Sequence, residues 1–190
     1  MAYDVPMVDK LTQMKRRPFL VPLLLPVLGL ALLVAAVAWF VDARATTIVI
    51  VIRHAETEPT TGTDPGLSVV GRERAARLVR LLHEAKPVRG IDAVYVSELR
   101  RTQETAAPVA ETSGLPVNVI PTDTWNSLPA RIRRQHHGES VLVVGNSTTV
   151  PQLVEALSGD PVTLKDDEYD AMYIVFLPQL AHARVVKLHY

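Results

Sequence analysis

Ile48-Val49-Ile50-Val51-Ile52, followed at once by Arg53-His54-Ala55-Glu56, reads as a buried strand that delivers an Arg-His pair to the loop at its carboxyl end. Five consecutive β-branched aliphatic residues leave no polar face, the pattern of a strand covered on both sides. In open α/β sheets, ligands collect in the crevice beyond the carboxyl ends of the strands. A guanidinium that stays charged can hold a phosphoryl group there while an imidazole nitrogen attacks it. Taken alone, the same four residues also fit an ordinary exposed loop.

Two further stretches of this kind follow in order. Ile91 to Val96 leads into Ser97-Glu98-Leu99-Arg100-Arg101-Thr102-Gln103-Glu104-Thr105-Ala106, and Val141-Leu142-Val143-Val144 into Gly145-Asn146-Ser147-Thr148-Thr149-Val150-Pro151. Between the strands the period becomes helical. From Val69 to Ala85, Ala75, Leu78, Val79 and Leu82 form one apolar face opposite Arg72, Glu73, Arg77, Arg80 and Glu84, and the Ser68 hydroxyl is placed to cap this helix. Glu58 to Pro65, rich in Thr, Pro, Gly and Asp, reads as an exposed loop, and Pro87 and Gly90 break the chain again. Helices are predicted over Glu98 to Thr112, Trp125 to His137 with a basic face, and Val150 to Leu157. A short strand is predicted at Val117 to Ile120, with two more at Met172 to Leu177 and Ala183 to Leu188, the last alternating like a solvent-facing edge. Strands separated by helices imply an α/β fold, a three-layer sandwich with a mainly parallel central sheet.

In order and spacing the three strand-loop motifs resemble the histidine phosphatase superfamily and its phosphoglycerate-mutase-like fold, over a stretch from about Thr46 to the C-terminus. The resemblance implies a phosphatase of the acid type that uses neither metal nor cofactor. The superfamily's mutases carry large insertions around the site, for which this domain has no room, so phosphomonoester hydrolysis is the expected reaction. Phosphosugars, an envelope glycolipid phosphate or phosphohistidine on a protein are the substrates that compact relatives imply.

Within that frame His54 is the nucleophile, forming a phosphohistidine that water then hydrolyses, and Arg53 clamps the phosphoryl oxygens. The resemblance places Arg101 in the same pocket, as the Arg of a Ser-x-x-x-Arg-Thr pattern, with Arg100 facing solvent. Asn146 departs from the pattern, because relatives carry a second histidine there that helps neutralise the phosphoryl oxygens. An amide donates a hydrogen bond but carries no charge, and loss of one transition-state donor typically costs ~10²–10³ in rate. A slow enzyme is therefore expected, with a catalytically dead phospho-ligand-binding protein as the alternative. Ser147 and Thr148 either add donors to the phosphate or cap the following helix. For the proton donor to the leaving oxygen, Glu56, two residues past the histidine, is preferred over Asp64 and Asp123. His136 and His137 end a basic stretch and lack companions for a metal site, and His83, His182 and His189 read as surface residues.

Ahead of this domain, Phe19 to Val41 is 23 residues without a charge, long enough as a helix to cross ~30 Å of hydrocarbon. Lys10, Lys15, Arg16 and Arg17 precede it and only Arg44 follows closely, which places the N-terminus in the cytoplasm and the catalytic domain outside. Ala43-Arg44-Ala45 has the form of a signal-peptide cleavage site, but the apolar run exceeds the ~7–15 residues of a removable leader. The expected organisation is a cytoplasmic tail over 1–18, a single-pass signal anchor over 19–41 and a phosphatase-like domain over 46–190, with the lipid bilayer as a partner. A formal charge of zero over the 190 residues gives no sign of nucleic-acid binding. From Thr46 onward 15 Lys and Arg stand against 17 Asp and Glu, so any positive pocket is local. Without a single cysteine, disulfides, thiolate metal ligands and a Cys nucleophile are excluded.

Overall fold

The computed structural model describes residues 21–42, 45–59, 62–84 and 90–190, and the chain divides into two compact units on either side of Val41 and Asp42. The described residues of the first unit belong to a helix, α1, Val21–Asp42, with Pro26 inside it. Its described side chains, Leu25 to Phe40, are apolar or glycine and exposed all round. That described run is 16 residues, and among the described residues no helix is long and apolar enough to cross a membrane. The expected tail over 1–18 and the first two residues of the expected anchor lie outside the described residues.

The second unit holds β1 (Thr46–Arg53), α2 (Val69–Glu84), β2 (Ala93–Ser97), α3 (Arg100–Ser113), β3 (Val117–Ile120), α4 (Leu128–Gln135), β4 (Ser140–Gly145), α5 (Thr149–Ser158), β5 (Ala171–Pro178) and β6 (Arg184–His189). The sheet order is β3-β2-β4-β1-β5-β6. Strands β1 to β4 run parallel, β5 pairs antiparallel with β1, and β6 antiparallel with β5. The sheet is thus mixed, with an antiparallel end beside a parallel block.

Alternation along the buried strands feeds two separate cores. Ile50, Ile52, Val94, Val96, Leu142 and Val144 point to the face covered by α2 and α3, where Leu78, Leu82, Ala106 and Val109 meet them. Val49, Val51, Tyr95, Val141 and Val143 point to the other face, under Trp125, Leu128, Ile132, Leu153 and Leu157. Helices on both faces make the three layers expected. Each fully buried aliphatic or aromatic side chain contributes about 1.5–3 kcal/mol, so both faces are firmly held.

Local chemistry sets the element ends. Gly71 N–H donates to the Ser68 hydroxyl at 3.1 Å, the cap expected of α2. The expected end of α2 at Ala85 lies outside the described residues. Trp125 to His137 is broken rather than continuous, a 3₁₀ turn over Thr122–Ser127 preceding α4, with Pro129 in the first helical turn. Proline is preorganised for that turn, where its missing N–H costs no helical hydrogen bond. His136 lies beyond α4 and is structural: its Nε2 meets the Tyr95 hydroxyl at 2.7 Å, its Nδ1 meets Glu139 Oε2 at 2.7 Å, and its carbonyl accepts the Thr47 hydroxyl at 2.7 Å. Among the described residues no group of three or more His, Cys, Asp or Glu could hold a metal ion.

Candidate active site

The first and fourth strands end side by side, Arg53 in register with Gly145. The connections leave β1 and β4 toward opposite sides of the sheet, so a crevice opens beyond this pair, where α/β sheets bind ligands. Backbone bonds fix the path of the chain as it leaves β1. His54 N–H donates to the Gly145 carbonyl at 2.9 Å. Ala55 N–H donates to Thr105 Oγ1 at 3.0 Å, and the Thr105 hydroxyl donates to the Arg101 carbonyl at 2.7 Å, which ties the loop to α3.

The His54 side chain is buried, and its Nδ1 lies 2.8 Å from the Ala55 carbonyl oxygen. A carbonyl only accepts, so Nδ1 carries the proton and Nε2 keeps its lone pair. Burial lowers the imidazole pKa to about 4, with Arg53 and Arg101 pushing the same way, so the ring is neutral and nucleophilic at neutral pH. Around it, Arg53, Thr57, Pro65, Arg101, Asn146, Ser147, Thr148 and Tyr169 line a cavity of about 380 Å³.

The two arginines are held differently. Arg53 is 7% exposed, its Nη1 donates to the Asp166 and Lys165 carbonyls at 2.6 and 3.3 Å, and its guanidinium carbon stands 4.2 Å from the Tyr169 ring centroid. Its Nε is buried and finds no hydrogen-bond partner among the described residues. Arg101 Nη1 lies 3.6 Å from Asp64 Oδ1, and the same carboxylate accepts the Arg100 N–H at the start of α3. Arg100 instead pairs with Glu104 at 2.6 Å in solvent.

Asn146 lines the cavity and also caps α5. Its Oδ1 accepts the N–H groups of Thr148 and Thr149 at 2.9 and 2.8 Å, while its own N–H donates to Thr149 Oγ1 at 2.9 Å. Capping therefore falls to Asn146 rather than to Ser147 or Thr148, although the helical residues themselves begin at Thr149. With the oxygen committed to the helix, the amide NH₂ is the group with donors to offer.

The structure brings Arg53, His54, Arg101, Asn146 and Ser147 together in this cavity and leaves Glu56 outside it. Arg74 holds the Glu56 carboxylate with both Nε and Nη2, at 2.5 to 3.0 Å. The Arg74 hydrogen bonds keep Glu56 below the usual carboxylate pKa, which suits an ion pair and not a proton donor. Asp64 is engaged at the start of α3, and Asp123 sits exposed in the 3₁₀ turn. Among the described residues no carboxylate lines the cavity.

Sequence reasoning missed Thr57, Pro65 and above all Tyr169. Thr57 bridges to Leu67, which ties together the two ends of the loop between them. Tyr169 is the lone aromatic in the charged stretch Lys165 to Asp170. It reaches the site because β5 runs antiparallel to β1, pairing Met172 with Ile52 and so bringing the residues before β5 to the carboxyl end of β1.

The arrangement is a cationic crevice with a neutral imidazole at its floor, suited to phosphoryl groups. Residues 49–126 match the model of the histidine phosphatase superfamily, branch 1, a stretch that includes Arg53, His54 and Arg101 and ends before Asn146. No curated protein sequence matches the chain. Among solved structures, the protein histidine phosphatase SixA complexed with tungstate is 22% identical, with a TM-score of 0.60 over 75% of this chain and 96% of that one. The alpha-ribazole phosphatase from Shigella flexneri is 20% identical, TM-score 0.60, over 75% and 96%. A mycobacterial glucosyl-3-phosphoglycerate phosphatase is 17% identical, TM-score 0.54, over 74% and 97%. The fold is shared with these proteins.

Proposed function

We propose that the domain is a phosphatase for small phosphorylated substrates, working through a phosphohistidine on His54. The observation that carries this reading is the His54 Nδ1 bond to the Ala55 carbonyl, which leaves Nε2 unprotonated beside two guanidiniums. In the first step Nε2 attacks phosphorus, the bond from phosphorus to the leaving oxygen breaks, and that oxygen departs with the bonding electrons to be protonated by water. In the second, water attacks the phosphohistidine, the P–N bond breaks, and inorganic phosphate leaves with the imidazole neutral again. Arg53 and Arg101 hold the charge that spreads over the phosphoryl oxygens. With no carboxylic acid among the described residues that line the cavity, good leaving groups such as aryl phosphates should turn over faster than alkyl phosphates.

A second reading is a phospho-ligand-binding protein without turnover, favoured by Asn146 in place of a chargeable side chain. Hydrolysis of para-nitrophenyl phosphate by the 190-residue chain, beside its His54→Ala variant, decides between them. Activity abolished by His54→Ala, with an acid-labile phosphoryl label on the wild type, supports the enzyme. Vanadate binding with no hydrolysis and no label supports the binding protein.

The proposal extends to location. A charge-free run over Phe19 to Val41, and apolar side chains exposed on every side of α1 from Leu25 to Phe40, call for an apolar surrounding. A single-pass anchor with the N-terminus in the cytoplasm meets that need and puts the phosphatase domain outside the cytoplasm, where an envelope phosphosugar or glycolipid phosphate is the substrate of choice. A reporter enzyme fused after Tyr190 should be active only outside the cytoplasm, and cytoplasmic activity would reverse the orientation.

A further inference from the structure

Resting on the reading of the cavity as a phosphoryl site, we propose that Tyr169 is a positioning residue: its ring fixes the plane of the Arg53 guanidinium, and with it the site's hold on phosphoryl oxygens. The guanidinium is a rigid planar fork. One edge is tethered, because Nη1 donates to the Asp166 and Lys165 carbonyls. A tether at one nitrogen leaves the plane able to turn about that point. The Tyr169 ring, 4.2 Å from the guanidinium carbon, covers one face and removes that freedom.

The consequence shows at Nε. It is buried on a side chain 7% exposed, and no described group accepts its hydrogen. A buried donor without an acceptor contributes nothing to holding the side chain, so the plane of the guanidinium rests on the Nη1 tether and on the ring face. Fixing the plane keeps the guanidinium of this cavity-lining residue oriented in advance of binding, which is how preorganised donors gain their strength. The same ring stands 6.0 Å from the His54 ring at 59°, so one side chain walls both the clamp and the nucleophile. The contact that matters is the π-face, and the phenolic oxygen has no part in it.

The test uses the whole 190-residue chain with Tyr169→Leu, Tyr169→Phe, Arg53→Ala and the double variant Arg53→Ala/Tyr169→Leu. Readouts are the vanadate dissociation constant, kcat and KM for para-nitrophenyl phosphate, and the thermal midpoint. Tyr169→Leu should weaken vanadate binding by roughly three- to thirtyfold, the range of a cation–π contact, and lower kcat/KM by the same factor. Tyr169→Phe should recover all but about twofold of that loss. In the Arg53→Ala background the added Tyr169→Leu change should do nothing further, since its effect passes through the guanidinium.

If Tyr169→Phe is as damaging as Tyr169→Leu, the hydroxyl acts and the inference is wrong. It is equally wrong if Tyr169→Leu matches the wild type, or if its effect persists without Arg53. A wild type that neither binds vanadate nor hydrolyses ester would overturn the phosphoryl site itself and this inference with it.

Discussion

Asn146 carries two jobs at once, and substitutions can be chosen to separate them. As a cap it satisfies two backbone N–H groups at the start of α5 through Oδ1; as a lining residue it borders the cavity, with its NH₂ group left to donate. Asn146→Ala removes both. Loss of a cap costs about 1 kcal/mol, roughly 2–4 °C in a domain of this size, and loss of a donor costs on the order of tenfold or more in kcat/KM. Asn146→Asp keeps the capping oxygen and adds a negative charge at a helix N-terminus, worth about 0.3–1 kcal/mol in its favour. It also sets a carboxylate against the phosphoryl oxygens. At ~4 Å and an effective dielectric near ~20, two unit charges repel by about 4 kcal/mol, and partial neutralisation by the arginines still leaves at least a hundredfold loss of vanadate affinity and kcat/KM.

The expected signature is therefore a divergence. Asn146→Asp melts at or above the wild type while losing nearly all activity, and Asn146→Ala melts lower while losing less. Thermal unfolding and para-nitrophenyl phosphate kinetics on the same samples measure both. If the two variants instead lost activity in proportion to their loss of stability, Asn146 would act on the site only by holding α5, and its reading as a phosphoryl ligand would be refuted. Asn146→His restores a chargeable donor and should raise the rate at least tenfold at the expense of the cap.

Further outcomes follow from other contacts. Because burial lowers His54 to about 4, kcat/KM should stay level above about pH 5 and fall as pH drops through about 4, where the nucleophile protonates. The unfolded chain binds that proton near its ordinary value of about 6.5, so stability should fall by on the order of 3 kcal/mol between about pH 6.5 and 4, and His54→Ala should remove that part of the slope in denaturant titrations. Glu56→Gln should keep kcat within about threefold while lowering stability by about 1–2 kcal/mol through the unpaired Arg74; a hundredfold fall in kcat would make Glu56 the acid after all. Gly71→Ala places a methyl 2.1 Å from the Glu56 carbonyl oxygen, whereas Gly145→Ala meets the movable Thr149 hydroxyl at 2.6 Å, so equilibrium unfolding should show the Gly71 variant to be the more destabilised, by upward of about 3 kcal/mol.

Most of the scaffold was legible because it rests on hydrophobic period. The runs at Ile48, Val94 and Val141 have no polar face, and they became the central strands; the 3.6-residue spacing of Ala75, Leu78 and Leu82 became the buried face of α2. His54 and Arg53 were legible because a strand end fixes their place, and Arg101 through the family resemblance of its Ser-x-x-x-Arg-Thr pattern. What escaped depended on direction in space. A run such as Met172 to Leu177 looks the same for a parallel or an antiparallel strand, and only the antiparallel pairing of β5 with β1 brings Tyr169 to the cavity. Glu56 misled for a related reason: two residues past the histidine, the chain has turned away, and Arg74, eighteen residues on, supplies its partner.

On the proposed phosphatase reading, Asn146 stands where the family resemblance leads one to expect a second histidine, and its position makes it more than a weaker version of that residue. Two backbone N–H groups orient the amide before any ligand arrives, so its NH₂ is aimed by the start of α5 rather than by a flexible side chain, and little rotamer freedom remains to be lost on binding. What it lacks is charge, at every pH. A histidine there would add a titrating cation to the pocket near neutrality; with Asn146, the cavity's positive charge rests on Arg53 and Arg101. If the proposed mechanism holds, the acid limit of activity belongs to His54 alone, and Arg53, held by the carbonyls of Lys165 and Asp166 and faced by the Tyr169 ring, is the group whose loss should cost most in oxyanion binding.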